Sequence, residues 1–271
     1  MNHYKIQAFL NGFFPIKTPL KIANCEIDLE KLRKQYFVST IASGESADEA
    51  QKKGMEQINQ VLGIFQVYFP IHLEIGSIHR IQVSGEEPFI TSIALILQRT
   101  RFLPIPQEMV DKIVKSTELF ANLPSDQKSS RRINKAINYF RKACFLEREY
   151  SSEAFLNYYK ATELVSHDFN KAFVKEVNDQ LNGTVLKDLT DQEMKELRTQ
   201  KRLIQFTVKQ LGISEPFDIP RIVELRNQFG AHANLKDVIV SKEDFRNCKF
   251  LASFVIINYL VYIEKEGKSK S

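Results

Sequence analysis

The chain is 271 residues long, 43% hydrophobic and 26% charged, with a net charge of +5. These are the proportions of a soluble globular protein of one large or two ordinary domains. The excess of base is too small to announce nucleic-acid binding, and it does not oppose it. Cys25, Cys144 and Cys248 are scattered without a CxxC pair, which fits a reducing, cytoplasmic setting better than a secreted disulfide scaffold. Met1-Asn2-His3-Tyr4-Lys5 lacks the basic-then-apolar layout of a signal peptide. The longest apolar run, Phe250 to Ile263, is interrupted by Ser253 and Asn258. It falls short of the roughly 20 residues of a membrane span, so a buried helix and no membrane partner are expected.

From the N-terminus to Leu103 the pattern is mixed. Tyr4–Phe9 alternates imperfectly, as a strand with one wet face does. Pro15 and Pro19 interrupt it, Leu20-Lys21-Ile22 resumes, and Tyr36–Ile41 is β-branched and aromatic. Ser46-Ala47-Asp48-Glu49 has the form of a capping box and opens a helix to about Phe65. Pro70 and Gly76 punctuate shorter extended pieces, and Ile90–Leu97 is the most apolar strand candidate. Residues 1–103 therefore read as a small α+β domain of unknown role, with a mostly antiparallel sheet whose strand order stays open.

Pro104-Ile105-Pro106 marks the expected boundary, since the two prolines disfavour helix and central strand alike. Beyond it the period changes from two to 3.6. Helices are expected over Gln107–Ala121, Arg131–Tyr150, from Ser151 onward, over Phe169–Leu181 and over Asp191–Leu211, where Gly212 stops the last. Leu123–Ser130 reads as a polar loop. Another helix follows Pro216 and Pro220, and Ser241 to about Lys265 is apolar nearly all round and should be central. Residues 106–265 thus form an all-α bundle, followed by a polar tail over 266–271.

The chemistry gathers at Leu225-Arg226-Asn227-Gln228-Phe229-Gly230-Ala231-His232. Arginine keeps its charge at any working pH and can hold a phosphate, and histidine exchanges a proton near neutrality. Those are two of the tools for cleaving a phosphodiester without a metal. On an unbroken helix, residues six apart lie about 9 Å apart along the axis and roughly 120° around it. Arg226 and His232 would meet if Gly230 bent or ended the helix, or if two copies met across a two-fold axis. Asn227 could orient the arginine, the histidine or a phosphate.

An Arg-Asn pair followed by four residues and a His, on a late helix of an α-bundle, resembles the R-x(4–6)-H motif of the HEPN superfamily. Glu153-Ala154-Phe155-Leu156-Asn157-Tyr158-Tyr159-Lys160-Ala161-Thr162-Glu163-Leu164 resembles the early helix of ApeA-like HEPN domains. The similarity covers roughly residues 106–265. It implies a metal-independent endoribonuclease acting as a homodimer, in a bacterial toxin, anti-phage defence or RNA-processing setting, with an antitoxin or regulatory protein as a possible partner. In that scheme His232 is the general acid or base, Arg226 binds the scissile phosphate and Asn227 orients them. Glu163 would tune His232 or pair with Arg226, or serve only as a structural pairing residue. Some HEPN domains do not cleave and serve to dimerise or bind.

Lys128, Arg131, Arg132 and Lys135 lie near one helix face, in a segment with no acid between Asp126 and Glu147. They could track an RNA backbone, and a solvated helix face would look the same. Tyr158-Tyr159 reads as core rather than as a base-stacking platform. His167-Asp168 reads as a cap at a helix junction. His72 and His79 have no cysteine or paired acid nearby, so no metal is expected. No P-loop, GxGxxG, GxSxG or HExxH occurs, so no cofactor is expected.

Overall fold

A computed structural model describes residues 2–12, 20–30, 35–71, 73–82, 106–123, 128–180, 199–231 and 240–269. The chain divides into two units, Met1–Leu123 and Pro124–Ser271.

The first unit holds β1 (Asn2–Gly12), β2 (Leu20–Ile22), β3 (Cys25–Glu30), β4 (Gln35–Gly44), α1 (Ala47–Tyr68), β5 (Leu73–Gln82) and α2 (Gln107–Ala121). The strands form one sheet in the order β2-β3-β4-β1-β5, each neighbouring pair antiparallel. Period-two burial follows from the sequence: Ile6, Ala8 and Leu10 of β1 and Tyr36, Val38, Thr40 and Ala42 of β4 are buried. Helix α1 starts on the first bond of a capping box, and the reciprocal bond falls one residue before the cap. The Ser46 hydroxyl accepts from the Glu49 N–H at 3.2 Å, while the Glu49 carboxylate accepts from the Glu45 N–H at 2.9 Å. A Cβ at Gly54 would stand 2.6 Å from Ile6 Cγ1, so glycine lets α1 settle closely on β1.

Two strands differ from expectation. Gly76 does not divide an extended piece. It lies inside β5, where the pairing shifts between Ala8↔Ile78 and Leu10↔Ile75, the bulge that a strand glycine often marks. Cys25–Glu30 is a strand, alternating apolar residues with acids, and joins β2 through the two-residue turn Ala23-Asn24. The strand expected at Ile90–Leu97 lies outside the described residues.

The boundary also moves. Helix α2 buries Val110, Ile113, Thr117 and Phe120, and Ser116 Oγ shares a 2.6 Å hydrogen bond with the Tyr68 hydroxyl of α1. The change of period at Pro106 is therefore a change of element within the first unit, which ends at Leu123.

The second unit contains α3 (Lys128–Leu146), α4 (Ser151–Gln180), α5 (Gln200–Gln210), α6 (Ile219–Ala231) and α7 (Lys242–Ser269). The fold is thus an antiparallel α+β unit followed by a helical one. Helix α4 is unbroken where a junction at His167-Asp168 was expected. Asp168 is no cap: it is buried, and its carboxylate accepts from Arg132 of α3 at 2.6 Å and from the Tyr259 hydroxyl of α7 at 2.7 Å. At the other end of the same three helices, Glu147 pairs with Lys249 at 2.7 Å and accepts from the Tyr158 hydroxyl. Two carboxylates therefore tie α3, α4 and α7 together around Phe140, Phe155, Phe169 and Val255.

Helix α4, rather than α7, is central, since α3, α5, α6 and α7 all pack on it. Helix α7 buries Leu251, Ala252, Val255, Ile256 and Tyr259, while Arg246 and Phe250 are exposed. By length and composition alone, Lys242–Lys265 passes as a membrane-crossing helix, a test that core helices of soluble proteins pass too.

Candidate active site

Helix α6 is built to present Arg226. Asp218 caps it by accepting the Arg221 N–H at 3.0 Å, and Pro220 sits in the first turn, where its missing N–H costs nothing. Ile219, Ile222, Leu225 and Phe229 bury one side of the helix, with the Phe229 ring 5.7 Å from that of Phe155. That stripe anchors α6 on α4 and leaves Asn227 exposed, with Arg226 at its margin.

The Arg226 guanidinium lies over the Tyr159 ring, 5.8 Å from its centroid, and donates to Asn227 Oδ1 at 3.3 Å. The first contact is a cation–π interaction, favoured because the ring face is negative. Among the described residues no carboxylate pairs with Arg226.

Behind the ring runs a polar chain. The Tyr159 hydroxyl donates to Gln200 Oε1 at 2.9 Å, and Gln200 Nε2 donates to a Glu163 carboxylate oxygen. One amide thus receives from the phenol and gives to the acid, which fixes its orientation. Burial pushes the Tyr159 phenol up, the Glu163 charge adds to this and the Arg226 charge opposes it. The phenol stays protonated at any physiological pH and acts as a donor.

Of the residues expected here, the structure brings together Arg226, Asn227 and Glu163, the last only through Gln200 and Tyr159. Glu163 forms no direct pair with Arg226. His232 lies outside the described residues. Helix α6 runs through Gly230 to Ala231, so the early end allowed for at Gly230 does not occur. Tyr159 and Gln200 were missed. The signal for Tyr159 was its place on the helix that carries Glu163, four residues earlier and one turn away.

The expected RNA-tracking face divides. Arg132 turns inward to Asp168, with side chains 22% and 5% exposed. A guanidinium bound to a buried carboxylate belongs to the packing of the bundle and is withdrawn from the RNA face. Arg131 and Lys135 are exposed, and Lys128 opens α3. His79 is buried edge-on to Phe9, with ring centroids 5.1 Å apart, and His72 lies outside the described residues. The three cysteines are free and buried, and burial pushes Cys25 up to about 11 and Cys144 up to about 12. None is poised as a thiolate nucleophile. No protein-family model, curated protein or solved structure matches the chain.

Proposed function

We propose that the protein is a metal-independent endoribonuclease of the HEPN type, acting in the cytoplasm as a homodimer. The observation that carries this reading is the Arg226 guanidinium. It is held by the Tyr159 ring and the Asn227 amide, and its charge is uncompensated by any described carboxylate. Such a cation suits a scissile phosphate, because it stabilises the extra negative charge of the transition state and needs no rearrangement to do so. His232 exchanges the proton of the ribose 2′-hydroxyl or of the leaving oxygen. Attack by the 2′-hydroxyl forms the new P–O bond and expels the 5′-oxygen, leaving a 2′,3′-cyclic phosphate. The substrate is therefore RNA. A two-fold pairing that sets each arginine beside the partner copy's histidine would bring both groups to one phosphate.

The test is incubation of the purified chain with RNA in the presence of EDTA. Fragments ending in cyclic phosphate are expected, with rates reduced roughly 100- to 10,000-fold in His232→Ala and about as much in Arg226→Ala. If wild type and His232→Ala behave alike, the enzyme reading is wrong.

A second reading has its own support. The Arg226–Asn227 bond already uses part of both polar groups, as in a HEPN module that only dimerises or binds RNA or a regulatory protein. That reading expects no cleavage by wild type and unchanged partner binding in His232→Ala.

A further inference from the structure

A second cationic feature lies on the α3–α4 hairpin, and the Arg226 chemistry makes no use of it. Tyr139 of α3 is half-buried and carries two ammonium groups over its ring. Lys135 Nζ stands 5.8 Å from the centroid and Lys160 Nζ, from α4, stands 5.7 Å from it. One ring thus holds two like charges on the outside of two different helices.

The surroundings extend the pattern. The helices run antiparallel, because Arg132 meets Asp168 while Cys144 meets Tyr158. On α3, Arg131, Lys135 and Lys142 are exposed and lie within one turn-to-turn row with Tyr139. On α4, Lys160, His167 and Lys171 are exposed at the same kind of spacing. Each row spans about 16 Å of helix axis at 1.5 Å per residue. Acids do little to cancel it. Helix α3 contains none. Among the α4 side chains described, over residues 151–171, Asp168 is turned inward to Arg132, Glu163 is engaged by Gln200, and Glu153 lies two turns before Lys160, at one end of the row.

Phosphate alone would be satisfied by the lysines. The aromatic ring between them asks for a ligand with a flat π-face beside its negative charge. Single-stranded nucleic acid has both, whereas a duplex buries its base faces in the stack. We propose that Tyr139, Lys135 and Lys160 form a binding site for single-stranded nucleic acid, with one base stacked on the tyrosine and the flanking phosphates on the lysines. An incoming base displaces an ammonium group from the ring face to the neighbouring phosphate. Arg131, Lys142 and Lys171 extend the track for the backbone on either side. The site is separate from Arg226 and does not depend on cleavage.

The experiment uses a labelled 12-mer of oligo(dT), which lacks the 2′-hydroxyl that the proposed cleavage requires, so that binding is read alone. Fluorescence anisotropy with the full chain should show binding to the single strand that weakens with salt and exceeds binding to the matching dA–dT duplex. Tyr139→Leu should lose roughly five- to 100-fold in affinity, the range for one lost base stack, while Tyr139→Phe binds like wild type. Lys135→Gln combined with Lys160→Gln should flatten the slope of log affinity against log salt by about 1.4. Circular dichroism shows whether each variant remains folded. Equal affinity for single strand and duplex, or unchanged binding by folded Tyr139→Leu, overturns the proposal. So does wild type that binds vesicles containing phosphatidylserine but no oligonucleotide.

Discussion

Arg132 and Arg226 are both half-buried arginines on helices of the second unit, and neighbouring charge separates their tasks. Arg132 neutralises Asp168; Arg226 meets a ring and an amide instead. The same logic governs the thiols. Burial lifts Cys144 from 9.0 to about 12 and pushes Cys248 up as well. In the unfolded chain a thiol ionises near pH 9, so between about 9 and 12 the unfolded state binds fewer protons than the folded one. The stability due to the protonated thiols is therefore complete below about pH 9 and is lost as pH rises toward 12, at about 1.4 kcal/mol per pH unit for each such group. Urea midpoints measured at pH 7.5, 9 and 10.5 should hold between the first two and fall at the third. A midpoint unchanged at pH 10.5 would contradict this. Sequence alone shows arginine, asparagine and histidine at suggestive spacing. It does not show which arginine has a carboxylate waiting across a helix interface, because that depends on the phase of α4 against α3.

At the scale of the element, α4 teaches most. Its central place rests on Phe155, Tyr158, Tyr159, Thr162 and Val165, whose spacing is plain in the sequence. Its continuity past His167-Asp168 is not plain, since a polar pair in a helix reads as an end until its partners are known. Asp168→Ala would leave the Arg132 charge half-buried with no counter-ion and take from the Tyr259 hydroxyl its carboxylate acceptor. A loss of about 3 kcal/mol is expected, whereas the pair Arg132→Met with Asp168→Leu should cost far less because no charge is stranded. Denaturant unfolding of both variants checks this. In the sheet, β1, β2 and β4 follow their β-branched and apolar alternation. The strand at Cys25–Glu30 had an equally clear period of two, with acids on its other face. Gly76 misleads in the opposite direction: a glycine that suits a bulge looks, in sequence, like a glycine that ends a strand.

Among the described residues, an antiparallel sheet with two helices and a set of five helices each bury a core of their own. The two prolines at 104 and 106 announce a change of element, and the division between units falls seventeen residues later, after Leu123, at the stretch whose polar composition reads only as a loop between helices. The helical run from Gln107 onward hid this, because α2 and α3 have the same period and only packing assigns α2 to α1.

Helix α6 carries Arg226 and continues through Gly230 to Ala231, and a reaction centre shared between two copies, as proposed, would follow a rule of inheritance. In such a shared centre the guanidinium would come from one parent chain and the imidazole from the other. Hybrids of Arg226→Ala with His232→Ala chains would then carry one centre with both groups intact and one with neither. Mixing two dead variants in equal amounts should restore about a quarter of wild-type cleavage, if the chains pair at random in dimers. A mixture as inert as its parents would give both groups to a single chain.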